Sequence, residues 1–289
     1  MDRIRHRVLV LLRQVAIAGL VAILFWTVLL MIFEEKFIYF PQKYPRGIYE
    51  DARYVPHLRD CWLTTEDGVK IHGWFAPADS AIATVVISHG NAGNISHRIP
   101  IMRELQRRKL NVLMYDYRGY GRSEGSPDEA GIYRDGRAAF DYALKLPEVD
   151  PRRVILWGTS LGGAVAVDVA TQRPAAALIL ESTFSSAKDV ARTAYPFLPA
   201  RFFLRTKFKS IEKIRNVRIP LLFIHGSHDS IIPIELGRRL FRAAQDPKEF
   251  YEIPGADHDD TFFVGGAAYL DWIIHFVRTA LPTHTQPAS

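Results

Sequence analysis

The sequence predicts an α/β domain on a mostly parallel eight-stranded sheet, with helices on both faces, preceded by one N-terminal transmembrane helix. Three observations predict it. From about residue 45 onward, short apolar runs alternate with helical stretches, the rhythm of strands joined by right-handed crossovers. The runs are apolar nearly throughout, as strands buried on both faces are. A longer unbroken apolar run, 15–33, precedes them all.

That run is the first element. At about 1.5 Å per residue it spans roughly 28 Å, close to the hydrocarbon thickness of a bilayer. A soluble core helix would be polar on one face, and this run is not. A cleaved signal peptide has a shorter apolar core and small residues at the cut. Here the run ends in Leu-Leu-Met-Ile-Phe before Glu34 and Glu35, so the reading is an uncleaved signal anchor. Arg3, Arg5, Arg7 and Arg13 precede or open it, and Lys36 follows. The N-terminus is therefore expected in the cytoplasm and the domain outside it, in the periplasm of a bacterium. Phe37, Tyr39, Phe40 and Tyr44 suit an interfacial aromatic belt or packing against the domain, and both can hold.

In the domain, 61–65 and 69–75 flank Glu66-Asp67-Gly68, a hairpin signal, so the sheet opens antiparallel. Strands follow at 84–88, 111–115, 154–157, 177–180, 221–225 and 250–253, and helices at 98–109, 135–145, 162–171 and 267–279. The interval 184–218 breaks the rhythm. It is apolar and basic, and it reads as a small helical cap over the sheet's carboxyl edge. The boundaries are then 1–36 for a cytoplasmic stub and anchor, 37–282 for the domain, and 283–289 for a frayed polar tail.

Composition excludes several classes. The chain has 289 residues, enough for one large domain, and is 48% hydrophobic and 24% charged with no low-complexity tract. Its net charge of +6 owes much to the arginines around the anchor, and no nucleic-acid-binding signature appears. Its one cysteine, Cys61, can form no intramolecular disulfide and reads as a structural thiol.

The chemistry centres on Gly158-Thr159-Ser160-Leu161-Gly162. A strand runs into this pentapeptide and a small-residue helix leaves it, the strand–turn–helix setting in which such a serine is exposed as a nucleophile. A serine hydroxyl needs a base. Asp229 follows the strand 221–225 and His258 follows 250–253, which puts both on the carboxyl edge. His258 is the expected base and Asp229 the group that orients it. Glu181 is an alternative acid, His228 suits a supporting position, and Asp257, Asp259 and Asp260 read as surface or structural residues. The backbone N–H groups of Leu161 and Asn91 are the expected oxyanion donors, the second from His89-Gly90-Asn91 after strand 84–88. Such a triad needs no metal or organic cofactor.

Four segments resemble the α/β-hydrolase superfamily over most of residues 45–280: His89 to Asn94, Asp116 to Ser123, the Ser160 pentapeptide, and His225 to Asp229 with Asp257-His258. His89-Gly90-Asn91-Ala92-Gly93-Asn94, the anchor and Tyr39-Phe40-Pro41 are similar, more narrowly, to the Bem46-like, ABHD-type membrane-anchored group. The resemblance implies a Ser-Asp-His triad that hydrolyses an ester, thioester or amide of a small-molecule or lipid-like acyl substrate. A serine peptidase and a catalytically silent binding protein on this fold are the alternatives.

Overall fold

The computed structural model describes residues 2–194 and 204–281. It begins with helix α1, Asp2–Ile32. Its stretch Arg3–Leu29 is long and apolar enough to cross a membrane, and none of that stretch is buried within the protein. A short helix, Glu34–Ile38, turns the chain toward the domain. Tyr39 is buried and packs edge-on against Phe208, whereas Phe40 and Tyr44 are exposed. The aromatic cluster therefore splits: one ring joins the core and two face outward. The Phe37 side chain lies outside the description.

The main sheet has eight strands: β1 Arg59–Thr64, β2 Lys70–Ala76, β3 Ala83–Ser88, β4 Leu110–Tyr115, β5 Val154–Thr159, β6 Ala177–Glu181, β7 Leu221–Gly226 and β8 Lys248–Ile253. Their spatial order is β8-β7-β6-β5-β3-β4-β2-β1. β1 pairs antiparallel with β2, and β2 antiparallel with β4; every other pairing in this sheet is parallel. The opening hairpin is as expected.

The helices are α2 Ile99–Arg107, α3 Glu129–Ala143, α4 Leu161–Ala170, α5 Ala187–Ala194, α6 Ile234–Ala243 and α7 Thr261–Ala280. They divide between two cores, one per face. Val86, Leu113, Leu156, Leu178 and Phe223 point into one core with residues of α3, α4 and α6. Their neighbours Val85, Val112, Ile155, Ile179 and Leu222 point into the other, with α2 and α7. Successive strand side chains alternate between faces, so a sheet covered on both sides needs apolar residues at every position. That is why the strands read as continuous runs.

Three differences have local causes. α3 starts six residues before the expected 135, because the Asp128 side chain accepts the Gly131 N–H at 2.9 Å and caps it. Gly131 and Gly136 mask the helical pattern there. α6 is absent from the expected elements. Its Leu236 and Leu240 are buried while Arg238 and Arg242 sit on its outer side, an amphipathic pattern hidden in a short window. The terminal helix begins at Thr261 and is broken at Gly266, whose φ of 52° is not helical.

Part of the expected cap, 195–203, lies outside the described residues, as does the tail 283–289. The described flanks of the interval are pinned. The Glu34 carboxylate accepts the backbone N–H groups of Arg205 (3.0 Å) and Thr206 (2.7 Å). Glu129 accepts those of Lys207 and Phe208. Burial pushes the Glu34 carboxyl up, but the hydrogen bonds from Thr206 and Arg205 hold it below its ordinary range. The segment that returns to β7 is thus hydrogen-bonded to the residues that leave α1.

Candidate active site

Ser160 occupies the turn between β5 and α4, with φ 54° and ψ −116°. A non-glycine residue there is strained. Three hydrogen bonds hold it: Ser160 N–H donates to the Glu181 carbonyl (2.8 Å), Gly163 N–H to the Ser160 carbonyl (3.0 Å), and Thr183 Oγ1 to that same carbonyl (2.8 Å). The flanking glycines permit the turn by close approach. A methyl group on Gly158 would collide with the Gly162 backbone, and one on Gly162 with the Ser88 carbonyl. The loop after β3 is therefore pressed onto the turn. A methyl group on Gly90 would lie 3.6 Å from Ser160 Cβ.

His258 follows β8 and Asp229 follows β7, and both are buried. The His258 ring joins the other two side chains. Its Nδ1 lies 2.8 Å from Asp229 Oδ2 and its Nε2 lies 3.0 Å from Ser160 Oγ. Asp229 Oδ1 accepts the backbone N–H groups of Ile231 (3.0 Å) and Ile232 (2.7 Å). Burial pushes the Asp229 carboxyl up, but hydrogen bonds from His225, His258 and Ile232 outweigh it and hold the group well below the usual carboxylate range. An ionised carboxylate only accepts, so Nδ1 of His258 carries the ring proton and Nε2 accepts from the Ser160 hydroxyl.

The supporting histidine is His225, not His228. His228 is exposed. His225 is buried, with Nε2 2.8 Å from the Ile232 carbonyl and 3.2 Å from Asp229 Oδ2. It is the last residue but one of β7, four residues before Asp229, a position visible in the sequence. Asp257 joins the two loops: its Oδ1 accepts the N–H groups of Ser230 and His258, both at 2.7 Å. Glu181 is occupied elsewhere. Its carboxylate accepts from Thr261 Oγ1 (2.6 Å), Tyr269 Oη (2.9 Å), Trp157 Nε1 (3.1 Å) and Thr159 Oγ1 (3.1 Å). It ties β5 and β6 to the first turns of α7, a contribution that sequence reasoning missed.

The loop 89–94 also binds the chain that leaves α1. Residues 40–41 pair in parallel with 92–93. The Asn91 amide donates to the Ile38 carbonyl, and its Oδ1 accepts from Tyr120 Oη (2.9 Å). Asn91 is therefore held by its side chain. Burial pushes His89 down to about 4, against the pull of Asp116, so this ring is neutral at pH 7. Cys61, on β1, points into the core, where burial raises its thiol pKa. Among the described residues, no group of three or more His, Cys, Asp or Glu side chains is arranged to hold a metal ion.

A family model described as serine aminopeptidase, S33, matches residues 79–211. The chain is 35% identical over 281 residues to the α/β-hydrolase domain-containing protein WAV2 of Arabidopsis thaliana, covering 88% of this chain and 90% of that protein. It is 32% identical over 258 residues to protein bem46 of Schizosaccharomyces pombe, covering 84% and 85%. Among solved structures, an esterase of Pyrococcus furiosus, Pf2001, superposes with a TM-score of 0.70 at 20% identity, over 85% of this chain and 99% of that one. That likeness concerns the fold, which has the same α/β-hydrolase architecture as the sheet described above. With relatives of this identity aligned over nearly the whole domain, the chain belongs to the Bem46-like α/β-hydrolases.

Proposed function

We propose that this hydrolase-family chain is a membrane-anchored serine hydrolase that cleaves carboxylic ester or related acyl bonds, thioesters included. The observation that carries the reading is the continuous hydrogen-bonded line from Asp229 through His258 to Ser160. In the proposed reaction, Ser160 Oγ attacks the acyl carbonyl while His258 Nε2 takes its proton. The Leu161 and Asn91 N–H groups receive the oxyanion. His258 then protonates the leaving alkoxide or thiolate, which departs and leaves an acyl-Ser160 ester. Water enters, His258 deprotonates it, and the attack releases the carboxylic acid and restores Ser160. Asp229 stabilises the imidazolium formed in both halves.

The test is covalent labelling. A fluorophosphonate probe should label the wild type and leave Ser160→Ala unlabelled. A folded wild type that takes no label, or a variant labelled equally, removes Ser160 from the reaction.

A second reading, a serine aminopeptidase, is favoured by the description of the matching family model. Faster release from aminoacyl naphthylamides than from p-nitrophenyl esters would select it. The anchor and its flanking arginines support a single crossing with the domain outside the cytoplasm. A C-terminal alkaline phosphatase fusion should therefore be active, and an inactive fusion places the domain on the other side.

A further inference from the structure

Arg98 closes the single turn Ile95–Arg98 that leads into α2. Its base is rigid. The Asn94 side chain accepts the Ser96 N–H (3.0 Å) and Ser96 Oγ (2.6 Å), and donates to the Gln42 (3.1 Å) and Arg46 (2.8 Å) carbonyls. The Arg98 side chain reaches back to the loop beside the nucleophile. A methyl group on Gly90 would lie 3.7 Å from Arg98 Nη2 and 3.6 Å from Ser160 Cβ, so guanidinium and serine flank the same stretch of backbone. Its charge reaches His89, one residue earlier, and helps push that ring down.

Most other half-buried or buried arginines of the domain are answered by acids, among them Arg118 by Asp67 and Asp135, Arg137 by Asp168 and Arg108 by Glu104; Arg103 on α2 is not, among the described residues, but only Arg98 reaches the backbone beside Ser160. The Arg98 residue is half-buried, and its side chain makes no hydrogen bond or ion pair with any described residue. A guanidinium partly withdrawn from water without a partner is costly, and an anion seated on it offsets that cost.

We infer that Arg98 binds an anionic oxygen group, carboxylate or phosphate, carried by the acyl substrate close to the bond that Ser160 attacks. This rests on the hydrolase reading above. The planar fork of Arg98 suits two oxygens of one such group. The hydrolysed molecule is then an acyl ester with a negative charge a few bonds from its carbonyl.

The test uses the full chain in detergent micelles with three esters: p-nitrophenyl butyrate, mono-p-nitrophenyl glutarate and a lysophosphatidate. Arg98→Gln should lower the kcat/KM ratio of an anionic ester to the butyrate by about ten- to a hundredfold, mainly through KM. Arg98→Lys should recover part of the loss. A fall on lysophosphatidate assigns the anion to a lipid headgroup, and a fall on the glutarate alone assigns it to a soluble carboxylate. An unchanged ratio in an Arg98→Gln protein that still takes the fluorophosphonate label overturns the inference. So does an equal loss of kcat on all three esters, which would assign Arg98 to the oxyanion instead. So does a wild type that cleaves only the butyrate. A wild type with neither label nor turnover removes the hydrolase reading, and this inference with it.

Discussion

His258→Ala is expected to lower kcat/KM for p-nitrophenyl butyrate by on the order of 10⁶, with KM nearly unchanged. The ring makes the hydrogen bond to Ser160 Oγ through Nε2, and its other nitrogen is held by Asp229. No other titratable side chain is hydrogen-bonded to that hydroxyl among the described residues. Without the base, attack must start from a neutral serine hydroxyl, a weak nucleophile. The loss should also be non-additive. Ser160→Ala combined with His258→Ala should be little worse than either alone, since each removes the same step. What survives reflects oxyanion donors and substrate binding, neither of which His258 supplies. Steady-state kinetics of the two single variants and the double variant check this. A loss below about a hundredfold would mean that another group takes the proton.

Much of this arrangement was legible because the fold converts order along the chain into place. Residues after parallel strands gather on one edge of a sheet, so a serine after β5, an aspartate after β7 and a histidine after β8 needed only the strands to be recognised. The strands were recognisable because both of their faces are buried. The contributions of Glu181, Thr183 and His225 were harder to read. Each depends on a direction or a distance across neighbouring strands that spacing does not encode. His225 and His228 precede Asp229 by four residues and by one, and only the bend of the loop decides which ring turns inward. Asn91 shows the same limit. Its backbone was expected to matter, while its side chain joins the chain leaving α1 to the loop beside Ser160. Such a contact, across 53 residues, leaves no periodic trace.

Asp229→Asn is expected to cost on the order of 10⁴ in kcat while the fold persists, because of where the amide must point. Oδ1 accepts two backbone N–H groups, from Ile231 and Ile232. An asparagine there keeps its carbonyl oxygen on those donors, which turns its NH₂ toward His258 Nδ1. An NH₂ donates, so Nδ1 must lose its proton and Nε2 must carry one. Nε2–H then faces Ser160 and cannot accept the hydroxyl proton. The same NH₂ confronts His225 Nε2, which lies 2.8 Å from the Ile232 carbonyl and 3.2 Å from the carboxylate, so the substitution also costs stability. That cost should depend on pH in a defined direction. The folded pKa of Asp229 lies below the unfolded value, about 3.9, so the stabilisation is complete above the unfolded value and fades as pH falls through the folded one. The thermal midpoint of the wild type should therefore exceed that of Asp229→Asn by more at pH 7 than at pH 3. A gap that stays constant or widens on acidification would mean that Asp229 is not held ionised by its neighbours. The tautomer argument, which needs an ionised acceptor in the wild type, would then fail with it.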